Sequence, residues 1–409
     1  MAPGQESSMG QSVATVSGES AYAAMIAKTW SLVPQLRERA ARTEELRHLP
    51  PETERDLHEA GLFRMLQPKR VGGAELDYVA LIDCAELLGR ADASVAWNLA
   101  NLASHHWMLG MFEQSAQNLV WDRDPDALIA SSFIFPAGRA RKVEGGYRLN
   151  GSWPFSSGVG SCTWNMLASV VFSDDEADGI EYRIFLLPKA DYKILDTWNV
   201  AGLRGTGSSD VEVRDAFVPE HMTVAVGDLA GGPTPGSKVN PNPLYALPVF
   251  SLFPYVLSGV ALGNAQACLD DYAEVARHRI STYNRAKLSD FQSTQIKIAE
   301  ASAKIDAARL IMRSACTEAM EDARRGRMPD MVTKTRYRRD GAFSVNLCTD
   351  AVSMLFAASG ARGLFTTGVL QRQFRDAHAI NSHLAFNFDA AGTNYGRVAL
   401  GLPSENLTL

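Results

Sequence analysis

Residues 202–219 read Gly202-Leu-Arg-Gly-Thr-Gly-Ser-Ser-Asp-Val-Glu-Val-Arg-Asp-Ala-Phe-Val-Pro219, a glycine-dense loop that runs straight into an alternating strand closed by proline. Working outward, Gly145-Gly146 separates Val143 from Tyr147 and Leu149, a hairpin signal because glycine supplies the positive φ angles of a tight turn. Strand-like runs at 165–172, 182–188 and 211–218, divided by turn residues, make residues 126–235 an antiparallel β domain, expected to close as a barrel.

Helical text flanks that domain on both sides. Over 21–125, Leu32, Leu36 and Ala40 recur at helical spacing, and Pro50-Pro51 before Glu52 marks a fresh helix start. Gly61 to Leu66 and Arg70 to Ala74 break the pattern, and Tyr78 to Phe112, with few charges after Asp92, reads as a buried helix pair. A Gly, Pro, Ser and Asn-rich stretch, 230–243, reads as a linker or flexible loop. Over 236–409 three stripes of mostly small residues follow: Val256, Val260, Gly263; Ile298 through Ala319 in steps of three and four; and Ala342, Val345, Cys348, Val352, Leu355. They predict a closely packed helical bundle, and the fold class is α+β.

With 409 residues, 46% hydrophobic and 21% charged, the chain can bury a full core. A net charge of −6 without long runs argues against nucleic-acid or anionic-membrane partners, which need clustered cations. Five scattered cysteines with no C-x-x-C pair fit reduced core thiols in a cytoplasmic protein, not a disulfide framework or zinc site. The Ser, Gly and Gln-rich residues 1–20 predict a disordered tail, not a signal peptide, and no apolar stretch is read as approaching membrane-span length. No Rossmann G-x-G-x-x-G, P-loop, H-E-x-x-H or G-x-S-x-G is present, which excludes a self-contained nicotinamide-driven cycle of Rossmann type. Adjacent His105 and His106 cannot both face one metal from a helix, so no metal site is expected.

Three segments carry a resemblance: Gly151-Ser-Trp-Pro-Phe-Ser-Ser-Gly158, the Gly202 loop, and Arg375-Asp-Ala-His-Ala-Ile-Asn-Ser-His383. In order and spacing the chain resembles the acyl-CoA dehydrogenase superfamily, and within it the oxygenase component of two-component flavin monooxygenases of the p-hydroxyphenylacetate hydroxylase type. The resemblance covers nearly the whole chain after Ala21. It implies a homotetramer that takes reduced flavin, FMNH2 or FADH2, from a separate NAD(P)H:flavin reductase. With O2 the flavin forms a C4a-hydroperoxide that hydroxylates a small phenolic or indolic substrate.

By itself Phe155-Ser156-Ser157-Gly158 is a turn at a strand end; the resemblance places there the hydroxyl beside flavin N5, either Ser156 or Ser157, with Ser156 preferred. Ser131 and Ser132 line flavin and substrate by the same token. Gly205 and Thr206 offer backbone donors for a phosphate or ring edge. Arg362 and Gly363, in a glycine-broken loop often supplied by a neighbouring subunit, match the contact to the flavin's phosphate end, and Arg375 belongs to the same cofactor set. His383 replaces the late glutamate base that a dehydrogenase needs, and an imidazole near neutrality can manage the proton of the peroxide. His105 matches the position that contacts the substrate phenol, with His106 as fallback if the register is off by one, and Phe133, Phe250 and Phe253 are candidate pocket walls. No arginine occurs in 247–255, so a substrate carboxylate is not expected, and a neutral phenol, an indole or a larger polycyclic aromatic is. The competing readings are N- or S-oxygenation within the superfamily, a true acyl-CoA dehydrogenase, and a non-catalytic flavin carrier.

Overall fold

The computed structural model describes residues 8–172, 180–282 and 284–409, with side chains from Ser20 onward. Helix α1 (Ser8–Leu46) runs through the boundary expected near residue 20. Adding a turn to an existing helix is far easier than nucleating one, so Ser- and Gly-rich text does not by itself mark the helix start; residues 1–7 of the expected tail lie outside the described residues. Helix α2 (Pro51–Glu59) starts on its proline, where the missing N–H costs nothing. Two single 3-10 turns, Leu62–Arg64 and Lys69–Val71, occupy the predicted breaks. Helices α3 (Val79–Gly89) and α4 (Ala93–Leu109) form the expected pair, followed by α5 (Gln114–Trp121). The Asp92 carboxylate caps α4 by accepting the Ser94 and Val95 N–H groups, and all residues of α4 are buried.

Among the described residues eight strands follow: β1 (Ile129–Ser132), β2 (Gly138–Val143), β3 (Gly146–Ser156), β4 (Trp164–Phe172), β5 (Glu181–Pro188), β6 (Lys193–Leu195), β7 (Ser209–Pro219) and β8 (Thr223–Ala225). Their order is β6-β7-β3-β2-β4-β5-β8, with β1 also on β4. The sheet is therefore open, not the closed antiparallel barrel expected, and β1 and β2 both run parallel to β4. Period-two text places residues on faces but does not choose strand partners. Closure is also unnecessary where helices cover a sheet, and α4 packs on β1.

The C-terminal helices are α6 (Val249–His278), α7 (Gln292–Arg324), α8 (Met331–Ser359), α9 (Leu370–Asn381) and α10 (Phe388–Ala399). The small-residue stripes on α7 and α8 are buried from Ala301 to Ala319 and from Ala342 to Leu355. Helix α6 packs on both α3 and α8, which joins the two helical parts into one core. By length and composition α6 and the segment 331–364 are apolar enough to cross a membrane, contrary to the sequence expectation, but 89% of the apolar α6 window is buried inside the protein. The stretch 230–243 is also not a free linker: Asn240 Nδ2 donates to the Gly110 carbonyl at 2.7 Å and to Gln117 Oε1 at 2.9 Å, pinning it to the N-terminal helices. All five cysteines are buried and free.

Candidate active site

On α4 a spacing of four places Trp97, Asn101 and His105 along one face. The His105 ring meets the edge of Phe133, just past β1, at a centroid distance of 6.0 Å. Phe133 in turn packs edge-on against Phe250 (6.0 Å) and Phe253 (5.9 Å) from the first turns of α6. Phe253 lies 6.0 Å from His383, which also contacts Trp97 at 5.6 Å and Phe386 at 5.7 Å. Five residues expected at the site from sequence, namely His105, Phe133, Phe250, Phe253 and His383, thus form one continuous ring cluster built from four separate elements.

The two histidines of the cluster are opposite tautomers. His105 Nδ1 lies 2.6 Å from the Ile129 carbonyl, an obligate acceptor, so Nδ1 carries the proton and Nε2 the lone pair. His383 Nδ1 accepts the Ala385 N–H at 3.2 Å, so its proton is on Nε2. Burial pushes the pKa of His105 down to about 4, and burial together with the Arg338 charge does the same for His383. Both are neutral imidazoles at neutral pH, and His383 does not titrate near neutrality as expected from its residue type.

His106 points elsewhere. It stacks on Trp121 (6.1 Å, 15° between planes), accepts the Trp121 indole N–H at 3.2 Å, and packs against Gln67. Its role is in the packing of α4 on α5, and the fallback register is not the one the helix adopts.

A row of hydroxyls reaches His383 from the sheet. Trp97 Nε1 donates to Ser157 Oγ at 3.0 Å, Ser157 pairs with Ser208 at 2.8 Å, and Ser208 with Thr206 at 2.7 Å. Ser156, fully buried at the end of β3, instead accepts from Asn165 Nδ2 at 3.0 Å. Ser132 donates to the Pro154 carbonyl at 2.7 Å, tying β1 to the same strand end, and Ser131 is buried beside it. Phe155, the next-to-last residue of β3, takes φ 64° and is 61% exposed at the rim.

The Gly202 loop is fixed by close packing. A side chain at Gly202 would collide with the Arg375 carbonyl at 2.2 Å, and one at Gly205 with Thr43 at 2.3 Å. The Gly205 N–H donates to Ser94 Oγ and the Thr206 N–H to the Leu203 carbonyl, so neither is the free anion donor anticipated. Arg375 pairs with Glu44 and donates to the Ala201 carbonyl, while Asp376 accepts the Leu203 N–H at 2.7 Å. Arg375-Asp376 therefore clamps the loop that carries Thr206 and Ser208. Arg362 and Gly363 follow the far end of α8; the 21 helical steps from Arg338 to Ser359 span roughly 30 Å at 1.5 Å per residue. Within one chain they are remote from the ring cluster.

Trp97, Asn165 and Arg338 were not anticipated. Arg338 supplies the arginine missing from 247–255: from α8 its Nη1 donates to the Phe250 carbonyl at 3.2 Å. Local text could not reveal it, because α6 and α8 meet only in the folded bundle.

Family models for the acyl-CoA dehydrogenase N-terminal domain and C-terminal domain match residues 32–119 and 255–388. The flavin-dependent monooxygenase oxygenase subunit HsaA of Rhodococcus jostii is 35% identical over 91% of this chain and 97% of its own length. The chain belongs to this family of flavin-dependent oxygenase components. The FADH(2)-dependent resorcinol hydroxylase oxygenase component of a Rhizobium species is 33% identical, over 92% of this chain and 94% of that protein. A crystal structure of a Rhodococcus 3-HSA hydroxylase superposes with TM-score 0.88 at 34% identity, covering 94% and 99% of the two chains.

For a member of this family the donor set fits a flavin. The indole and hydroxyl row at Trp97, Ser157 and Ser208 is polar and shielded, and beside it the buried Asn98 Oδ1 has no protein partner. Asn98 Oδ1 lies only 3.3 Å from where a side chain on Gly158 would begin.

Proposed function

We propose that this chain hydroxylates a phenolic or indolic substrate, using O2 and reduced flavin delivered by a separate NAD(P)H:flavin reductase. The observation that carries the reading is the pair of neutral, oppositely protonated histidines at two ends of one aromatic cluster. His105 Nε2 accepts the phenol O–H, which raises electron density at the ring carbon ortho to oxygen. His383 Nε2–H is a donor that keeps its proton at neutral pH. Phe133, Phe250, Phe253 and Trp97 wall the site and exclude water, the condition under which oxygen chemistry stays coupled to substrate. Reduced flavin would supply the oxygen activation; Ser157, Ser208 and Trp97 would hold it, while Ser156 and Asn165 brace the strand end.

Two relatives support FADH2 over FMNH2 as the flavin: the resorcinol hydroxylase is named for it, and XiaF of a Streptomyces species, 26% identical with TM-score 0.88, was solved in complex with it. A homotetramer is supported by the exposed Leu364 and Phe365 on the Arg362 loop and by Leu384 (76% exposed) beside His383. Both sites gain a cover if a neighbouring copy brings its Arg362 loop to the flavin's phosphate end. Free buried cysteines fit a reducing cytoplasm.

Anaerobic protein with reduced FAD, then reduced FMN, is mixed with oxygenated buffer with and without a phenol, following flavin absorbance and product. Delayed appearance of oxidised flavin, with catechol formed, is the expected result. Immediate oxidation with both flavins and no product overturns the reading.

A further inference from the structure

The start of α4, the Gly202 loop and α9 meet over two buried carboxyl groups, Asp92 and Asp376. Asp92 accepts the Ser94 and Val95 N–H groups at 2.8 and 3.3 Å, and the Ser94 hydroxyl in turn accepts the Gly205 N–H at 3.2 Å. Asp376 accepts the Leu203 N–H at 2.7 Å. Both acids line one narrow cleft, with Glu44, Ser94, Arg204 and Arg372, that is too tight to hold a water molecule.

The charges around Asp376 come from several elements. Glu44 on α1 is engaged by Arg375, Arg204 comes from the loop, and Arg372 and Arg375 come from α9 itself. On the α6 side Gln373 bonds Asp271, which also pairs with Arg37, and on the α8 side His378 bonds Ser353. Burial, with the Asp92 charge, outweighs the Leu203 hydrogen bond and the arginines, so the Asp376 carboxyl keeps its proton up to about 7. Ionising it puts a second like charge into a dry cleft, where nothing screens the repulsion.

Asp376 holds the residue in which the hydroxyl row ends. An indole N–H only donates, and Thr206 Oγ1 gives its proton to the Leu203 carbonyl at 2.9 Å. Ser208 therefore donates to Thr206 and Ser157 to Ser208, so the row runs in one direction from Trp97 to Leu203. Leu203 sits at φ 51°, a left-handed conformation unfavourable for a residue with a side chain, and its own N–H is tied to Asp376.

We infer that Asp376 is a positioning residue: its carboxyl proton, kept beside Asp92, fixes the Leu203 loop and through it the Thr206, Ser208 and Ser157 row, so that reduced flavin is gripped more tightly when Asp376 is protonated. This deepens the proposed function and rests on its placement of the flavin along that row. At saturating flavin both protonation states are filled, so the effect is read in affinity and not in hydroxylation.

The test is anaerobic titration of wild type, Asp376→Asn and Asp92→Asn with reduced FAD, or reduced FMN if FAD does not bind, from about pH 5.5 to about pH 8.5. Asp376→Asn keeps an acceptor for Leu203 and cannot ionise; any ionisation of free flavin is common to all three proteins and cancels in the ratio of their Kd values. Wild type and Asp376→Asn should bind equally at the acid end, and wild type should bind about fivefold or more weakly than the variant at the alkaline end. Asp92→Asn keeps the cap of α4 but removes the neighbouring charge, so its loss of affinity should be smaller and centred at lower pH than in wild type. If Asp376→Asn does not fold, that displacement of Asp92→Asn from wild type carries the test alone. A ratio that is constant with pH overturns the inference, including uniformly weaker binding by Asp376→Asn, which would make Asp376 structural only. An Asp92→Asn profile that superposes on wild type overturns it as well. If wild type binds neither reduced flavin at any pH, the proposed function falls with it.

Discussion

His105 and His383 are joined through the rings of Phe133 and Phe253 and carry their protons on opposite nitrogens, one offering a lone pair and the other an N–H. Because each is depressed to about 4 from 6.5, neither changes charge in the neutral range. Hydroxylation should therefore show no histidine inflection between about pH 5.5 and 8 and should fail only on the acid side. The stability sign follows from the same depression. Between pH 6.5 and about 4 the unfolded chain takes up protons that the folded imidazoles refuse, so stability is lost as pH falls through that window and unaffected above it. Urea unfolding of His383→Gln should show a shallower acid loss than wild type; identical slopes would mean that His383 is not the neutral, buried group described.

Adjacent histidines should separate cleanly by mutation. His105→Asn retains a donor for the Ile129 carbonyl but removes the Nε2 lone pair, so folding should hold while product per turnover drops by about a hundredfold or more. Flavin would still be oxidised, and hydrogen peroxide would replace product. His106→Leu should do the reverse: the Trp121 N–H loses its acceptor, at a cost of about 1–3 kcal/mol of stability, with coupling unchanged. Product and peroxide assays beside urea midpoints decide it, and a coupling defect in His106→Leu would undo the assignment.

Legibility followed the range of the interaction. The α4 register, the Gly145-Gly146 hairpin and the small-residue stripes depend on neighbours a few residues away, and sequence periodicity shows them. His383 and the three phenylalanines were readable as types in motifs, although their meeting was not. What failed depends on pairing across the fold. Strand order decided between barrel and open sheet, and the Ser94 hydroxyl took the Gly205 N–H that looked free. Arg338 arrived from a helix 88 residues beyond Phe250, so its absence from 247–255 carried no information about charge at the site.

The two serines of the strand end make distinct forecasts. Ser157 shares a hydrogen bond with Trp97, whose ring touches His383, whereas Ser156 is held by Asn165 on the sheet side. Ser157→Ala should shorten the delay before oxidised flavin appears and divert turnover to hydrogen peroxide. Ser156→Ala should chiefly lower stability, by about 1 kcal/mol, because Asn165 loses its acceptor. The opposite pattern in stopped-flow traces would place the flavin edge at Ser156.

Asp376 and Leu203 give the last forecast. Leu203 adopts φ 51°, a left-handed conformation that costs an ordinary side chain about 1–2 kcal/mol, and its N–H is held by Asp376. Burial, reinforced by the Asp92 charge, pushes the Asp376 carboxyl from 3.8 up to about 7. The folded state therefore holds that proton more tightly than the unfolded chain, and stability falls as pH rises from about 4 to about 7, then levels. Asp376→Asn keeps the acceptor without the ionisation. Its urea midpoint should match wild type near pH 4.5 and exceed it near pH 8. An advantage that is the same at both pH values would show that the carboxyl does not titrate in that window, and a deficit at pH 8 would mean that its charge is what holds the loop.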